Sequence, residues 1–147
     1  MRATDWALLV LRVTLAVVLW PHGAQKALGL FGGGGIAGTV AGLSQHAGIP
    51  VALAYLVIAV EFLGPIALVL GVLTRLAALG IFVDMFMAAY LVHARNGFFM
   101  NFSGRQQGEG VEYFIYACGV ALALVIAGAG AYSIDGAVAR GRSGRRR

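Results

Sequence analysis

The stretch WALLVLRVTLAVVLWPHGAQKAL, residues 6–28, decides the fold. It is longer than the roughly 18 apolar residues that cross a hydrocarbon core of about 30 Å as a helix. Arg12 nevertheless interrupts it, and it closes on Pro21, His22, Gln25 and Lys26. A cleaved signal peptide would also start with a basic residue such as Arg2. Arg12 breaks the apolar core, however, and no small-x-small cleavage site ends it, so the segment reads as a retained helix.

Composition extends this reading to the whole chain. Of 147 residues, 60% are hydrophobic and 12% charged, and the mean hydropathy is +0.85. A soluble domain carries about a quarter of its residues as charges, so this chain reads as an integral membrane protein. Three further apolar segments, at about 51–73, 76–92 and 113–131, join the first at about 6–28. The expected fold is all-α: an integral membrane four-helix bundle in one domain over 1–139, followed by a basic tail over 140–147. Cys118 is the sole cysteine, which excludes an intrachain disulfide and a CxxC redox pair. The tail RGRSGRRR places five arginines in eight residues. Next to membrane helices it reads as a solvated segment beside anionic lipid headgroups, not as a nucleic-acid site.

Lys and Arg near helix ends set the orientation. With both termini cytoplasmic, the inner side holds Arg2, Arg75, Arg140, Arg142, Arg145, Arg146 and Arg147, and the outer side Lys26, Arg95 and Arg105. Seven against three favours this multi-pass arrangement in the cytoplasmic membrane. The inner link near GVLTR is short enough to be a tight hairpin. The first outer link, LFGGGGIAGTVAGLSQHAGIP, opens on a glycine hinge and closes on Pro50, a favourable first helical residue. Ile36, Val40, Leu43 and Ala47 recur at helical spacing within it, so a short helix is expected in the outer interface. The second outer link carries Phe98, Phe99 and Phe102, which suit headgroup level or the mouth of the bundle.

Ionisable side chains at membrane depth cost about 2.5 to 3.5 kcal/mol each on insertion scales, so they face the interior, pair, or serve a function. Glu61 lies near the middle of the second apolar segment and Asp84 at the corresponding depth of the third. Two acids at one depth on consecutive antiparallel helices can approach and share a proton; each can equally bond a backbone carbonyl. Carbonyls are available, because Pro65 frees that of Glu61 and Pro21 that of Val17. His22, Gln25, Lys26 and Gly29 follow i, i+3, i+4, i+7 spacing, with Arg12 two heptads before Lys26 and Asp5 one heptad before Arg12. This polar stripe is expected to line the interior, Arg12 pairing with an acid or reaching the inner headgroups. Near the outer mouth, Glu112, Tyr116 and His93 are placed to meet His22 and Lys26. His22 and His93 lie at similar depth, yet no second pair or i, i+4 histidine motif accompanies them, so no metal or haem site is expected.

The ordered segments LLVLRVTLAVVLWPHGAQKALG, GIP, VEFLGPIALVLGVLTRLAALGI, DMFMAAYLVHARNGFF and EYFIYACGVALALVIAGAGAYSID resemble the DoxX family of small bacterial membrane proteins. The resemblance runs from Leu8 to Asp135 and leaves out the tail from Arg140. It implies four membrane helices and, from the best-described members, quinone-coupled oxidation of sulfur compounds as a subunit of a thiosulfate:quinone oxidoreductase. Other members are described as parts of oxidative- or thiol-stress assemblies. The motif positions fall here on His22, Gln25, Lys26, Glu61, Asp84, Asn96, Glu112, Tyr113 and Asp135, and the family carries no catalytic assignment onto them.

Two functions are therefore expected. One is a redox subunit binding quinone, with His22 and Lys26 on a ring carbonyl and Glu61, Asp84 or Glu112 exchanging protons. No flavin, haem, iron-sulfur or dithiol motif is present, so no intrinsic cofactor is expected, and electrons would come from a partner subunit or a small reductant. The other is a non-catalytic anchor or accessory subunit that holds partner proteins, or a second copy of the chain, through its outer loops and tail. A transporter or lipid-binding role is a weaker third reading, since four helices leave little room for a pathway.

Overall fold

The structure is a computed structural model that describes residues 2–144. Among these it is all-helical, with no strand. Helix α1 spans Ala3–Leu28, α2 Gly35–His46, α3 Val51–Leu70, α4 Thr74–Ala88, α5 Glu112–Ala127 and α6 Ile134–Gly144. A π-helical turn over Ala89–His93 and a 3-10 turn over Ala94–Asn96 prolong α4. Three of these segments, Ala3–Leu28, Val51–Leu70 and Thr74–Asn96, are long and apolar enough to cross a membrane; α5 is apolar but shorter.

Local chemistry sets the helix ends. Asp5 lies in the first turn of α1, where a carboxylate favours the positive end of the helix dipole, and it accepts from the Arg2 amide at 3.0 Å. Gly29 ends α1 and Gly71 ends α3, both in the left-handed region that glycine enters without a Cβ penalty. Pro50 is the cap of α3, one residue before its first turn. Leu73, at φ 48°, is a left-handed residue with a side chain, held where α4 starts. Two bonds from outside the hairpin secure it: Asp135 accepts from the Leu73 amide at 3.0 Å and the Thr74 amide at 2.9 Å.

The apolar core is one cluster drawn from four helices: Leu8, Leu15, Ala16 and Leu19 of α1, Leu68 of α3, Ala78, Ile81 and Met85 of α4, and Phe114, Ala117, Ala121 and Leu124 of α5. The closest pairings are α1 with α3 and α4 with α5, while α2 rests on α1 and α3 and has no buried residue. Gly23 explains the first pairing. A Cβ placed there would lie 2.1 Å from the Glu61 carbonyl oxygen, so only glycine lets the two backbones meet. That carbonyl is the one Pro65 deprives of its helical donor.

Segment ends differ from the sequence expectation by three residues at the start of α1 (Ala3) and the end of α3 (Leu70), by two at the start of α4 (Thr74), and by four in two places. The third apolar segment stays helical to Asn96, because the π-helical and 3-10 turns absorb four residues beyond Val92. The fourth ends at Ala127, where Gly128 and Gly130, at φ 79° and 74°, turn the chain into a short loop. The basic segment then enters α6, which includes Arg140 and Arg142; Arg145, Arg146 and Arg147 lie outside the described residues.

Candidate functional site

The buried polar groups divide into two sets. At the end of the chain's helices that carries both Asp5 and the α3–α4 hairpin, polar side chains tie backbone segments together. Asp5 accepts from the Ala131 amide at 3.0 Å, and the fully buried Arg12 donates to the Tyr132 carbonyl. Gly71 leaves room for that guanidinium, since a Cβ on it would sit 1.9 Å from Arg12 Nη1. The Asp135 amide donates to the Gly71 carbonyl at 2.9 Å while its carboxylate holds Leu73 and Thr74. Partial burial pushes the Asp135 carboxyl up, but the bonds from Thr74 and Leu73 and the Arg12 charge outweigh it, and the group lies below its ordinary value.

The second set joins side chains to one another, Glu61 and Asp84 from the middle of α3 and α4, Lys26 from the last turn of α1 and Tyr113 from the first turn of α5. Lys26 of α1 pairs through Nζ with Glu61 Oε1 of α3. Glu61 is 4% exposed and Lys26 30%. Asp84 of α4 lies within hydrogen-bonding range of Glu61 and within electrostatic range of Lys26. Tyr113 of α5 lies within electrostatic range of Glu61. Four helices thus contribute one polar group each. Glu61 Oε2, Asp84 Oδ2 and the Tyr113 hydroxyl are all buried without a hydrogen-bond partner. Two carboxyls against a single ammonium form a centre able to take up or release a proton.

The remaining sequence candidates lie elsewhere. His22 is exposed on α1, because the contact line with α3 runs through Gly23 and Ala24 and leaves the preceding residue outside it. Pro21, half-buried one residue earlier, sits inside α1. Gln25 donates through Nε2 to the Phe31 carbonyl at 3.2 Å, closing the turn after α1. Glu112 accepts from the Met100 amide at 3.2 Å. His93 Nδ1 and Asn96 Nδ2 both lie 2.9 Å from the Glu109 carbonyl, and the His93 ring packs on Phe114 with centroids 4.3 Å apart. Tyr116 is 71% exposed. The expected cluster of His22, Lys26, Glu112 and His93 at the outer mouth is therefore not assembled: these side chains knit the 97–111 loop or face outward, and only Lys26 joins the centre. Arg12 bonds a carbonyl, with Asp135 as its nearby counter-charge. Sequence reasoning gave Asp135 no structural role. Its partners lie more than sixty residues away, and the one signal was the glycine pair before YSID, which marks a turn that must return the chain to the helices.

Among the described residues no group of three or more His, Cys, Asp or Glu side chains is placed to hold a metal ion. Compared with known proteins, residues 7–94 match the model of the DoxX family, a span that includes Lys26, Glu61 and Asp84 and stops before Tyr113. No curated protein matches the chain, and no solved structure does.

Proposed function

This chain belongs to the DoxX family, and from that premise we propose that it is an integral membrane subunit of a quinone-linked oxidoreductase whose intramembrane polar centre binds quinone. The observation that carries the reading is the convergence of Lys26, Glu61, Asp84 and Tyr113 from four helices, two of them acids against one another, with the buried Tyr113 hydroxyl left without a partner. Reduction of a quinone to a quinol takes up two electrons and two protons. The carboxyls supply and accept the protons; the electrons come from the redox group of a partner subunit. In this reading α5 completes a four-helix transmembrane bundle, α2 lies in the outer interface, and both termini face the cytoplasm. The outer loops and basic tail hold the partner, and the protein resides in the cytoplasmic membrane.

A non-catalytic anchor is the second reading. The observation favouring it is that Lys26 is already engaged by Glu61, and so is not free to bind a ring carbonyl as the sequence suggested. Purification in mild detergent followed by mass spectrometry separates the two. Co-purifying quinone, lost on Asp84→Ala, supports the redox subunit. A stoichiometric protein partner with no quinone, and no saturable binding of a ubiquinone analogue in nanodiscs, leaves the anchor.

A further inference from the structure

Between α3 and α4 runs a groove of about 920 Å³ that the polar centre does not fill. Its floor is made of small residues, Gly64 and Ala67 on α3 and Ala77 and Gly80 on α4, and its rims of exposed leucines such as Leu63 and Leu79. It reaches from the 47–50 link to Leu73, a length on the order of 30 Å at 1.5 Å per helical residue. Asp84 is the one ionisable residue on its wall. That residue sits partway along the groove, not at either end.

Both walls belong to helices able to cross a membrane, so the groove opens onto acyl chains and only membrane-soluble molecules reach it. An ordinary phospholipid fits poorly, because its charged phosphate stays at the interface while Asp84 lies at the depth of the hydrocarbon. A chain with a small uncharged oxygen-bearing head fits both features: the head can enter the hydrocarbon, and a single hydrogen bond holds it there.

We propose that the α3–α4 groove binds a membrane amphiphile with an apolar chain and a small uncharged hydroxyl or carbonyl head, the chain lying along Gly64, Ala67, Ala77 and Gly80 and the head meeting Asp84. The inference rests on the reading above that the polar centre serves a membrane-soluble ligand, and it assigns the ligand's path and the form of its head. Entry is lateral, from the bilayer, and does not pass through the outer mouth.

The test uses the full chain in phosphatidylcholine nanodiscs with a diazirine-bearing long-chain alcohol as photoprobe, the labelled residues being mapped by peptide mass spectrometry. Saturable labelling of α3 and α4 along the groove is expected. Gly80→Leu, which fills the floor, abolishes it, and Leu79→Trp, which adds bulk on an exposed rim without entering the core, weakens it. Asp84→Ala weakens it about tenfold, the loss expected when the one hydrogen bond that holds the head goes. Non-saturable labelling spread equally over the exposed faces of α3, α4 and α5 overturns the proposal, as does saturable labelling untouched by Leu79→Trp and Gly80→Leu. A diazirine phosphatidylcholine that labels the groove as well as the alcohol does also overturns it. A ubiquinone analogue is added as competitor. If it fails to compete while the alcohol still labels the groove saturably, the quinone reading falls and the groove stands. If the analogue binds fully to both filled variants, the groove falls and the quinone reading stands.

Discussion

Replacing Lys26 by methionine tests whether the polar centre is held by one ion pair. The substitution keeps the apolar stem and removes the ammonium. Glu61 is then left 4% exposed with Asp84 beside it and no cation. Breaking a buried pair from one side costs about 3 to 5 kcal/mol, and Asp84 can relieve part of that by sharing a proton, so about 3 kcal/mol is expected. Glu61→Gln is expected to cost less, about 1 kcal/mol, because Lys26 is 30% exposed and keeps both Asp84 and a route to the headgroups. The double variant leaves no unpaired charge from this pair and is expected to cost about 1 kcal/mol, a coupling energy of about 3 kcal/mol. Unfolding in mixed dodecylmaltoside and SDS micelles, followed by circular dichroism, reads all four corners of the cycle. Equal costs for the two single variants, or a double variant that equals their sum, would refute the pairing.

Three further outcomes follow from the packing and the inner end. Gly23→Ala gains about 1 kcal/mol of helix propensity, but its Cβ would lie 2.1 Å from the Glu61 carbonyl oxygen, and overpacking of about 1 to 3 kcal/mol makes the variant less stable in the same unfolding assay. A gain in stability would mean that α1 and α3 do not meet there. Gly71→Ala places a Cβ 1.9 Å from Arg12 Nη1 at φ 65° and is expected to cost about 2 kcal/mol or more, read as a lower Tm; an unchanged Tm would deny that Arg12 fills that space. Asp135, lying below its ordinary value, stabilises the folded chain fully above about pH 5, and this contribution is lost as pH falls through about 3.9 toward the lower folded-state value. Asp135→Asn therefore lowers stability at pH 7 and flattens the acid limb of the stability profile, whereas an acid limb parallel to that of the unsubstituted chain would exclude the role.

How much of this was legible depends on whether a feature is local. The apolar lengths of α1, α3 and α4 follow from composition over some twenty residues, and Gly29 and Gly71 mark helix ends by the same local logic. Equal depth on antiparallel neighbours, which sequence distance and helical rise define, made a meeting of Glu61 and Asp84 one of two readings, and left a bond from each acid to a backbone carbonyl as the other. The place of His22 did not follow. Spacing of three and four residues gives a stripe, but which column of the stripe touches α3 depends on Gly23 meeting the Glu61 carbonyl, a fact of another helix. Glu112 and His93 were misplaced for a related reason: the groups they bond lie in the 97–111 loop, whose course is set by contacts such as the Gly110 amide on the Phe99 carbonyl at 3.2 Å.

The partners that each charge acquires say what it does. Arg12, Asp5 and Asp135 all bond main-chain groups, and every such bond fixes where a segment goes: the 128–135 loop onto α1, and α6 onto the α3–α4 hairpin. A carbonyl or an amide does not titrate, so near neutral pH these contacts have one state and serve position. Lys26, Glu61 and Asp84 meet through their side chains instead, with Tyr113 in electrostatic range of Glu61, so these contacts join ionisable groups to one another and not to the main chain. Position alone needs no second acid beside Glu61, since one carboxylate already neutralises Lys26. Asp84 is the surplus group, and it is also the one that lines the groove open to the bilayer. An acid at that depth costs about 2.5 to 3.5 kcal/mol on insertion, and its one tie, to Glu61, joins two helices that the α3–α4 hairpin already holds side by side.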